Sequence, residues 1–529
     1  VGRDVPAGAG VVTETTFDRC LTEQARERPD APAVLFGGES CSYVELDARV
    51  ERMAGQLAGR GVDPGDRVVL VADNSADHLA AAFAVWRAGG VLVTIYPSST
   101  EAELAHAIER VEPKAVVAGT RVARTVRAAA GGRAMSELDG TGVLAGLPVG
   151  AAVRPAAGAG SGPAPADRDA LALICFTSGS TARPKAVMHR HAGLLGAAAA
   201  YARVWHLGPD DATLVCLPMA WAFGLVTTSM AALLTGGRVV ALARAEPEAM
   251  VAAMADHGVT FFAGVTTMFG KLVQLLDSRG APGPDLPRLR LCISGGEPRN
   301  EAAFSRWQQL TGCPVHDVYA ASECFPVVTY DPLEDPQPRP GSAGRVVAEA
   351  ALRLVDPEGH DVAPGETGEA WTRGPALLLG YWRDPDLSEL VLTPDGWYRT
   401  GDLARLDDEG YVHVVGRVST MIIRGGSNVS PAEVEAVLRD HPDVREAAVV
   451  GLPDAQYGEE VAAAVVLEPA AVLDAAALRA HCAGVLAGYK VPSRVVEVEQ
   501  LPRNPHTGKV QRTDVVALLL TPAGAEVEP

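Results

Sequence analysis

The chain has 529 residues, 48% of them hydrophobic and 21% charged, with 55 Gly and 38 Pro. That composition supports a large core but is too rich in loop residues for a helical bundle or coiled coil, and it excludes disorder for most of the chain. The formal charge of −19, from 46 Lys and Arg against 65 Asp and Glu, argues against nucleic acid as the main partner. A small anion is still allowed, because local amides, lysines and a divalent cation override the global field.

Cys20, Cys41, Cys175, Cys216, Cys292, Cys313, Cys324 and Cys482 form no C-x-x-C pair. They read as separate, reduced thiols of a cytoplasmic protein. No apolar run is long enough to span a bilayer, and the start lacks a basic region followed by an apolar core, so no membrane insertion is expected.

In chain order, a helical pattern is expected from Phe17, leading into the short pair "APAVLF" and "CSYVELDARVERMAGQL". "DRVVLVAD" has the apolar density of a buried strand. Ser75 can cap the helix "ADHLAAAFAVWRAG", in which Leu79, Phe83 and Trp86 recur at helical spacing, and "VLVTIYP" is the next buried strand. "ELAHAIERVEP" and "KAVVAG" repeat the unit. Strands alternating with such helices predict a mostly parallel sheet covered on both faces. Beyond a small-residue connector at 144–165, "LALICFTSG" is a strand and "HRHAGLLGAAAAYARVW" a helix. Strands follow at "ATLVCLP", "GRVVALA", "VTFFAG", "RLCISGG" and "HDVYAAS". The last two end in small or polar residues, where parallel sheets place their ligand sites.

After about Pro340 the pattern alternates more strictly and carries D-G and E-G turns, as antiparallel ribbons do. The final hundred or so residues read as a smaller α+β unit. Its first helix is announced by Ser430 as cap, Pro431 at the first helical position and Glu433 three residues after the cap. The boundary is expected near Arg417–Thr420, giving domains 1–418 and 419–529.

Four segments can handle phosphate. "FTSGSTARPK" places Thr177, Ser178, Gly179, Ser180 and Thr181 directly after a buried strand, with Lys185 as a point charge. It lacks the Gly-Lys-Ser/Thr of a P-loop, and by itself such a turn is as often a plain loop. "RNPHTGKVQR" presents Lys509 after Gly508, which in isolation is ordinary solvated surface. "YRTGD" ends on Asp402, able to accept two ribose hydroxyls, and Arg417 in "VGRVST" can pair with an anion. "VYAASE" offers the Tyr319 ring, Ser322 and the Glu323 carboxylate, a fitting Mg²⁺ ligand beside a triphosphate.

Taken in order, "FTSGSTARPK", "ISGGEP", "VYAASE", "GETGEAWTRGPALLLGYW", "YRTGDLARLDDEGYVHVVGR", "MIIRGGSNVSPAEVE", "GYKVP" and "NPHTGKV" resemble the adenylate-forming superfamily, most closely its acyl- and aryl-CoA synthetases. The resemblance runs from about Phe17 to Arg512. It implies an α/β fold: a large N-terminal domain of parallel and mixed sheets covered by helices, a small β-barrel-like section, and a small mobile C-terminal α+β domain. It implies ATP, Mg²⁺ and coenzyme A as partners in converting a carboxylic acid to an acyl adenylate and then a thioester. By the same resemblance, Thr177 to Thr181 and Lys185 clasp the β/γ-phosphates, and Gly295, Gly296, Glu297 and Tyr319 flank the adenine. Ser322 meets the α-phosphate or acyl carboxylate, Glu323 binds Mg²⁺, and Asp402 holds the ribose with Arg417 close by. Lys509 reaches the substrate carboxylate and the α-phosphate, Ser419 is the hinge, and Gly425 and Gly426 face the thiol tunnel.

Departures from the family pattern are Ala182 and Ala186 in the phosphate loop, Trp221 where many relatives have His, Thr266–Thr267 in place of a Pro, and Ser419–Thr420 in place of charged residues. The segment around Ala222 carries no carboxylate to hold an α-amino group, which disfavours amino acids. Trp221, Phe223, Gly224, Val265 and Met268, with Gly295, Ala320 and Ala321 leaving room, suggest a lining for a cyclic, aromatic or medium-chain acid. Free coenzyme A is the expected acceptor, since no carrier segment follows Arg512, with a separate carrier protein as the alternative. A weakly catalytic nucleotide sensor or scaffold is the alternative of another class, and both monomer and homodimer are open.

Overall fold

Nine strands, most of them apolar runs that read as buried strands, assemble into one sheet. From edge to edge its strands are Arg345–Val346, Cys324–Thr329, Val315–Ala321, Leu291–Gly295, Phe261–Gly264, Ala212–Val215, Arg238–Ala241, Pro32–Phe36 and Glu39–Ser42. The interior pairs are parallel, and antiparallel strands close both edges. A second sheet of eight strands runs through Gly380–Tyr381, Lys185–Arg190, Leu171–Thr177, Val91–Thr94, Arg67–Val71, Ala115–Gly119, Met135–Leu138 and Leu144–Ala145. The computed structural model describes residues 16–145, 167–177, 184–280, 283–425, 427–454, 456–469, 471–504 and 508–520.

The helix Ala76–Arg87 forms where the spacing predicted. Ser75 caps Ala76–Arg87, its hydroxyl accepting from the His78 N–H at 3.0 Å. Helix Tyr43–Gly59 opens on a capping box between Ser42 and Glu45, two orphan donors satisfied reciprocally. A hairpin strand, Glu39–Ser42, precedes it. In the first sheet, Phe262, Cys292 and Leu214 are sealed by Phe269, Phe304 and Trp307 from the helices Thr266–Arg279 and Glu301–Thr311. The core of the second sheet is its Val and Ile side chains against Leu104, Ile108 and Val126. All eight cysteines are free and buried. No helix among the described residues is long and apolar enough to cross a membrane.

By compactness the chain divides into one unit of residues 1–352 and 372–398 and another of 353–371 and 399–529. The second holds most of a four-stranded sheet, Ala351–Val355, Gly368–Arg373, Tyr398–Leu406 and Val412–Arg417. It also holds a five-stranded α+β module whose core is the long hairpin Val444–Asp454/Gly458–Leu467, packed on helices Pro431–Arg439, Ala475–Val485 and Arg512–Leu520. The architecture is thus a large mixed α/β portion followed by a smaller α+β portion, as expected.

One local expectation fails. Ser430 stands at the helix N-cap and Pro431 at the first helical position, but the Ser430 side chain makes no capping bond. Its hydroxyl donates to the Val415 carbonyl at 2.5 Å, and Glu433 takes the Lys490 ammonium at 2.7 Å. Both groups find partners outside the helix, so the reciprocal box does not close.

Candidate active site

Strand Leu171–Thr177 turns back and pairs antiparallel with Lys185–Arg190, setting Thr177 opposite Lys185. The helix expected over "HRHAGLLGAAAAYARVW" begins two residues later: His189 and Arg190 belong to this returning strand, and the helix runs from His191 to Val204. Ser178, Gly179, Ser180 and Thr181, together with Ala182, lie outside the described residues.

In the neighbouring sheet, Val315–Ala321 carries Tyr319, Ala320 and Ala321, and a tight turn presents Ser322 and Glu323 before Cys324–Thr329. The two sheets meet at this turn. His189 Nε2 lies 2.8 Å from the Ser322 carbonyl oxygen. Burial pulls the His189 imidazole down to about 4. The ring is therefore neutral, with its proton on Nε2 to serve that carbonyl. Nδ1 is left buried with no partner among the described residues.

Glu323 is 8% exposed. Its Oε1 accepts from the Tyr381 hydroxyl at 3.0 Å. Burial, then the Glu323 charge, pushes the Tyr381 phenol up, which keeps it a donor. The same two causes push the nearby Cys175 thiol up to about 12. Above the Tyr381 ring, 5.5 Å from its centre, lies the Lys185 ammonium. Among the described residues no cationic side chain pairs with Glu323. A buried carboxylate served by a single hydroxyl is short of positive charge, so its donor chemistry fits a hard dication. No group of three or more His, Cys, Asp or Glu suited to a metal occurs among the described residues. Mg²⁺ held by one carboxylate and substrate phosphates needs none.

The wall below is built from glycines and rings. Strand Leu291–Gly295 ends in Gly295, where an added Cβ would press on Val318 and Phe223. Gly296 has φ +78°, and a Cβ there would lie 3.1 Å from the Trp221 ring. Trp221 and Phe223 meet edge to face with centroids 5.4 Å apart. Phe223 opens an eight-residue π-helix, Phe223–Met230, a form concentrated at functional sites. Gly224 sits so close to the Pro218 carbonyl that no larger residue fits. Val265 caps helix Thr266–Arg279, and Met268 packs near Gly264. The Thr267 N–H donates to Glu297 Oε2 at 2.8 Å, a bond that a proline at that position could not make. The Glu297 carboxylate is thereby committed to the helix start.

In the second unit, Asp402 pairs in register with Arg417, whose Nε donates to Asp402 Oδ1 at 2.5 Å. Ser419 lies in the short 3₁₀ turn Val418–Thr420. Gly425, at φ +57°, donates its N–H to the Tyr457 carbonyl at 2.7 Å. Gly426 lies outside the described residues. Lys509 is exposed. Its carbonyl accepts from the Asn504 N–H at 2.8 Å, and the Gln511 N–H reaches Pro502. Three residues on, Arg512 Nη1 donates to Glu435 at 2.5 Å and to the Val449 carbonyl at 2.7 Å.

The family model for AMP-binding enzymes matches residues 21–382, and that for the AMP-binding enzyme C-terminal domain matches residues 433–509. The chain belongs to the AMP-binding enzyme family. This AMP-binding enzyme is 35% identical over 496 residues to a feruloyl-CoA synthase of Amycolatopsis, covering 93% of this chain and 96% of that protein. It is 32% identical to an indoleacetate–CoA ligase of Aromatoleum aromaticum, covering 94% and 97%. Among solved structures it matches ATP-bound MatB from Rhodopseudomonas palustris with a TM-score of 0.86 and 31% identity, covering 95% and 98%.

Sequence reasoning assigned no role to His189 or Tyr381. Tyr381 lies within the quoted "GPALLLGYW", but nothing in that string reveals that its hydroxyl meets Glu323 some 60 residues earlier in the chain.

Proposed function

We propose that this AMP-binding enzyme is an acyl-CoA synthetase for a cyclic, aromatic or medium-chain carboxylic acid. It activates the acid with ATP to an acyl adenylate, releasing pyrophosphate, and acts as an AMP-forming acid–thiol ligase. A carboxylate is a poor acylating agent because oxide would have to leave. Attack of its oxygen on the α-phosphorus converts that oxide into AMP, which departs easily when a thiol attacks.

The observation that carries the reading is the convergence of Lys185 and Glu323 on one tyrosine at the edge where the two large sheets meet. That convergence supports a cation for phosphate oxygens beside a carboxylate suited to a hard metal. Thr177, Ser178, Gly179, Ser180, Thr181 and Lys185 clasp the β/γ-phosphates. Gly295, Gly296, Glu297 and Tyr319 border the adenine, Glu297 through its backbone since its carboxylate is engaged. Ser322 faces the reacting groups, and Asp402 with Arg417 takes the ribose. Glu323 holds Mg²⁺, which when bound supplies charge neutralisation on the pyrophosphate side.

The first step brings two anions together, and Lys509 between them offsets that repulsion where charge develops. No general base is required, because the attacking carboxylate is already ionised at neutral pH. Lys509 must then leave for the thiol to approach. This motivates movement of residues 419–529 relative to 1–418 about Ser419, with Gly425 and Gly426 along the thiol's path. The enzyme acts in the cytoplasm on free coenzyme A. The crossed rings of Trp221 and Phe223 over two glycines, with no carboxylate among them, favour a cyclic or aromatic acyl group over an amino acid.

The test is acid-dependent exchange of labelled pyrophosphate into ATP across aryl, alicyclic and fatty acids. Exchange is expected with a cyclic or aromatic acid. Silence across the panel would replace this reading with that of a nucleotide sensor. Thioester formation is then measured with coenzyme A and with candidate carrier proteins. A clear preference for a carrier would overturn free coenzyme A as acceptor while leaving the activation step in place.

A further inference from the structure

Residues 376–382 form a strap across the junction of the two large sheets. On one side the N–H groups of Ala376 and Leu378 donate to the carbonyls of Phe325 and Glu323, at 3.0 and 2.7 Å. On the other, Leu379 and Trp382 donate to Met188 and Ala186, at 2.9 and 2.8 Å. Tyr381 pairs with Val187 as an added edge strand. The strap is therefore bonded both to the segment carrying Glu323 and to the strand that begins at Lys185.

Tyr381 is the side chain that joins those two groups. It is 2% exposed. Its hydroxyl donates to Glu323 Oε1 at 3.0 Å, and its ring face lies 5.5 Å below the Lys185 ammonium. A phenol is well suited to both tasks. Its O–H is a donor at neutral pH that fixes one carboxylate oxygen without cancelling the negative charge a cation needs. Its π-face attracts an ammonium without satisfying that group's hydrogen bonds, which stay available to phosphate oxygens. An arginine at the same place would neutralise Glu323 and repel Lys185.

We propose that Tyr381 is a positioning residue that sets the separation and orientation of Lys185 and Glu323, matching the lysine's phosphate contacts to the metal carried by the carboxylate. The inference rests on the assignment of Glu323 to Mg²⁺ and Lys185 to phosphate. Two consequences separate its two functions. Loss of the hydroxyl alone frees Glu323 while the ring still holds Lys185, so it weakens the part of ATP binding that depends on Mg²⁺. Loss of the ring also releases Lys185 and weakens ATP binding without metal.

The test is calorimetric binding of ATP to the full chain, with no acid present so that no turnover occurs, once with Mg²⁺ and once with EDTA. Tyr381→Phe, Tyr381→Leu, Glu323→Gln and Lys185→Ala are compared with the wild type. For Tyr381→Phe the gain in affinity conferred by Mg²⁺ is expected to fall about tenfold, the scale of one hydrogen bond to a charged group, with affinity in EDTA unchanged. Tyr381→Leu is expected to lower affinity in EDTA as well, as Lys185→Ala does. If Tyr381→Phe retains the full Mg²⁺ gain while Glu323→Gln loses it, the positioning role is wrong and the metal assignment stands. If Glu323→Gln also retains the gain, the metal assignment itself fails and the proposal falls with it. An equal loss in both arms for Tyr381→Phe marks general damage to the fold and contradicts the proposal.

Discussion

Removing Arg512 should loosen the C-terminal module and with it the loop that presents Lys509. The Glu435 side chain is 5% exposed and its Oε1 accepts from two donors, Arg512 Nη1 at 2.5 Å and the Val449 N–H at 2.9 Å. Arg512→Ala leaves that carboxylate with one amide and strips the Val449 carbonyl of its 2.7 Å donor. Breaking a buried pair in this way costs about 3–5 kcal/mol. The lower end applies here, because the Arg512 side chain is 29% exposed and water partly replaces it. A loss of about 3 kcal/mol should accelerate hydrogen exchange more than a hundredfold at amides that open only with the module. The amides of Ala448, Val449 and Val450 and their partners Ala462 to Ala464 are the reporters. The assay is exchange followed by mass spectrometry on peptides covering those strands, with peptides from strand Arg67–Val71 as the internal reference. Adding Glu435→Leu to Arg512→Ala should restore much of the protection, since the stranded charge goes with it. Acceleration below about tenfold, or no rescue in the double variant, would refute the reasoning.

Trp221→His or Trp221→Ala should change the ranking of acids in pyrophosphate exchange while the KM for ATP stays within about threefold, the spread of an uninvolved substitution. A change confined to the KM for ATP would remove Trp221 from the acyl wall. Acid should destabilise the large portion through its buried imidazoles. Burial pulls His78 from an ordinary 6.5 down to about 4, and His189 equally. Between pH 6.5 and about 4 the unfolded chain binds protons that the folded chain does not. Their contribution is therefore complete above 6.5 and is lost as pH falls, by up to about 1.4 kcal/mol per unit for each ring. His78→Gln should flatten the fall in melting temperature between pH 7 and 5, as read by calorimetry. Parallel profiles for variant and wild type would contradict this.

Much of the fold was legible because its strands are buried on both faces and read as unbroken apolar runs, "RVVLV" and "LICF" among them, punctuated by caps such as Ser75. At Ser430 the cap position was legible but the missing capping bond was not, because a hydroxyl's choice between its own helix and the Val415 carbonyl is decided by tertiary contacts. The returning strand at Lys185 was hidden because "AVMHR" has the composition of either element, and pairing with Leu171–Thr177 decides. Lys185, Ser322, Glu323, Asp402 and Arg417 were singled out from local sequence alone. The glycines that bring Trp221 and Phe223 against strand Leu291–Gly295, the His189 bond to Ser322 and the Tyr381 bond to Glu323 depend on close approach between distant segments. Sequence pattern carries no such distance. The π-helix after Trp221 was not legible either, since no period in the side chains marks it.

The central claim is that a lysine near the end of the chain bridges acid and nucleotide in the first half-reaction alone. Comparing both half-reactions in Lys509→Ala tests it most directly, with pyrophosphate exchange reporting adenylation and thioester formation from supplied acyl adenylate reporting transfer. A fall of at least about a hundredfold in exchange, the scale of removing one charge-stabilising donor, with transfer kept within about tenfold, is the expected result. Equal loss in the two half-reactions, or undiminished exchange, would contradict it.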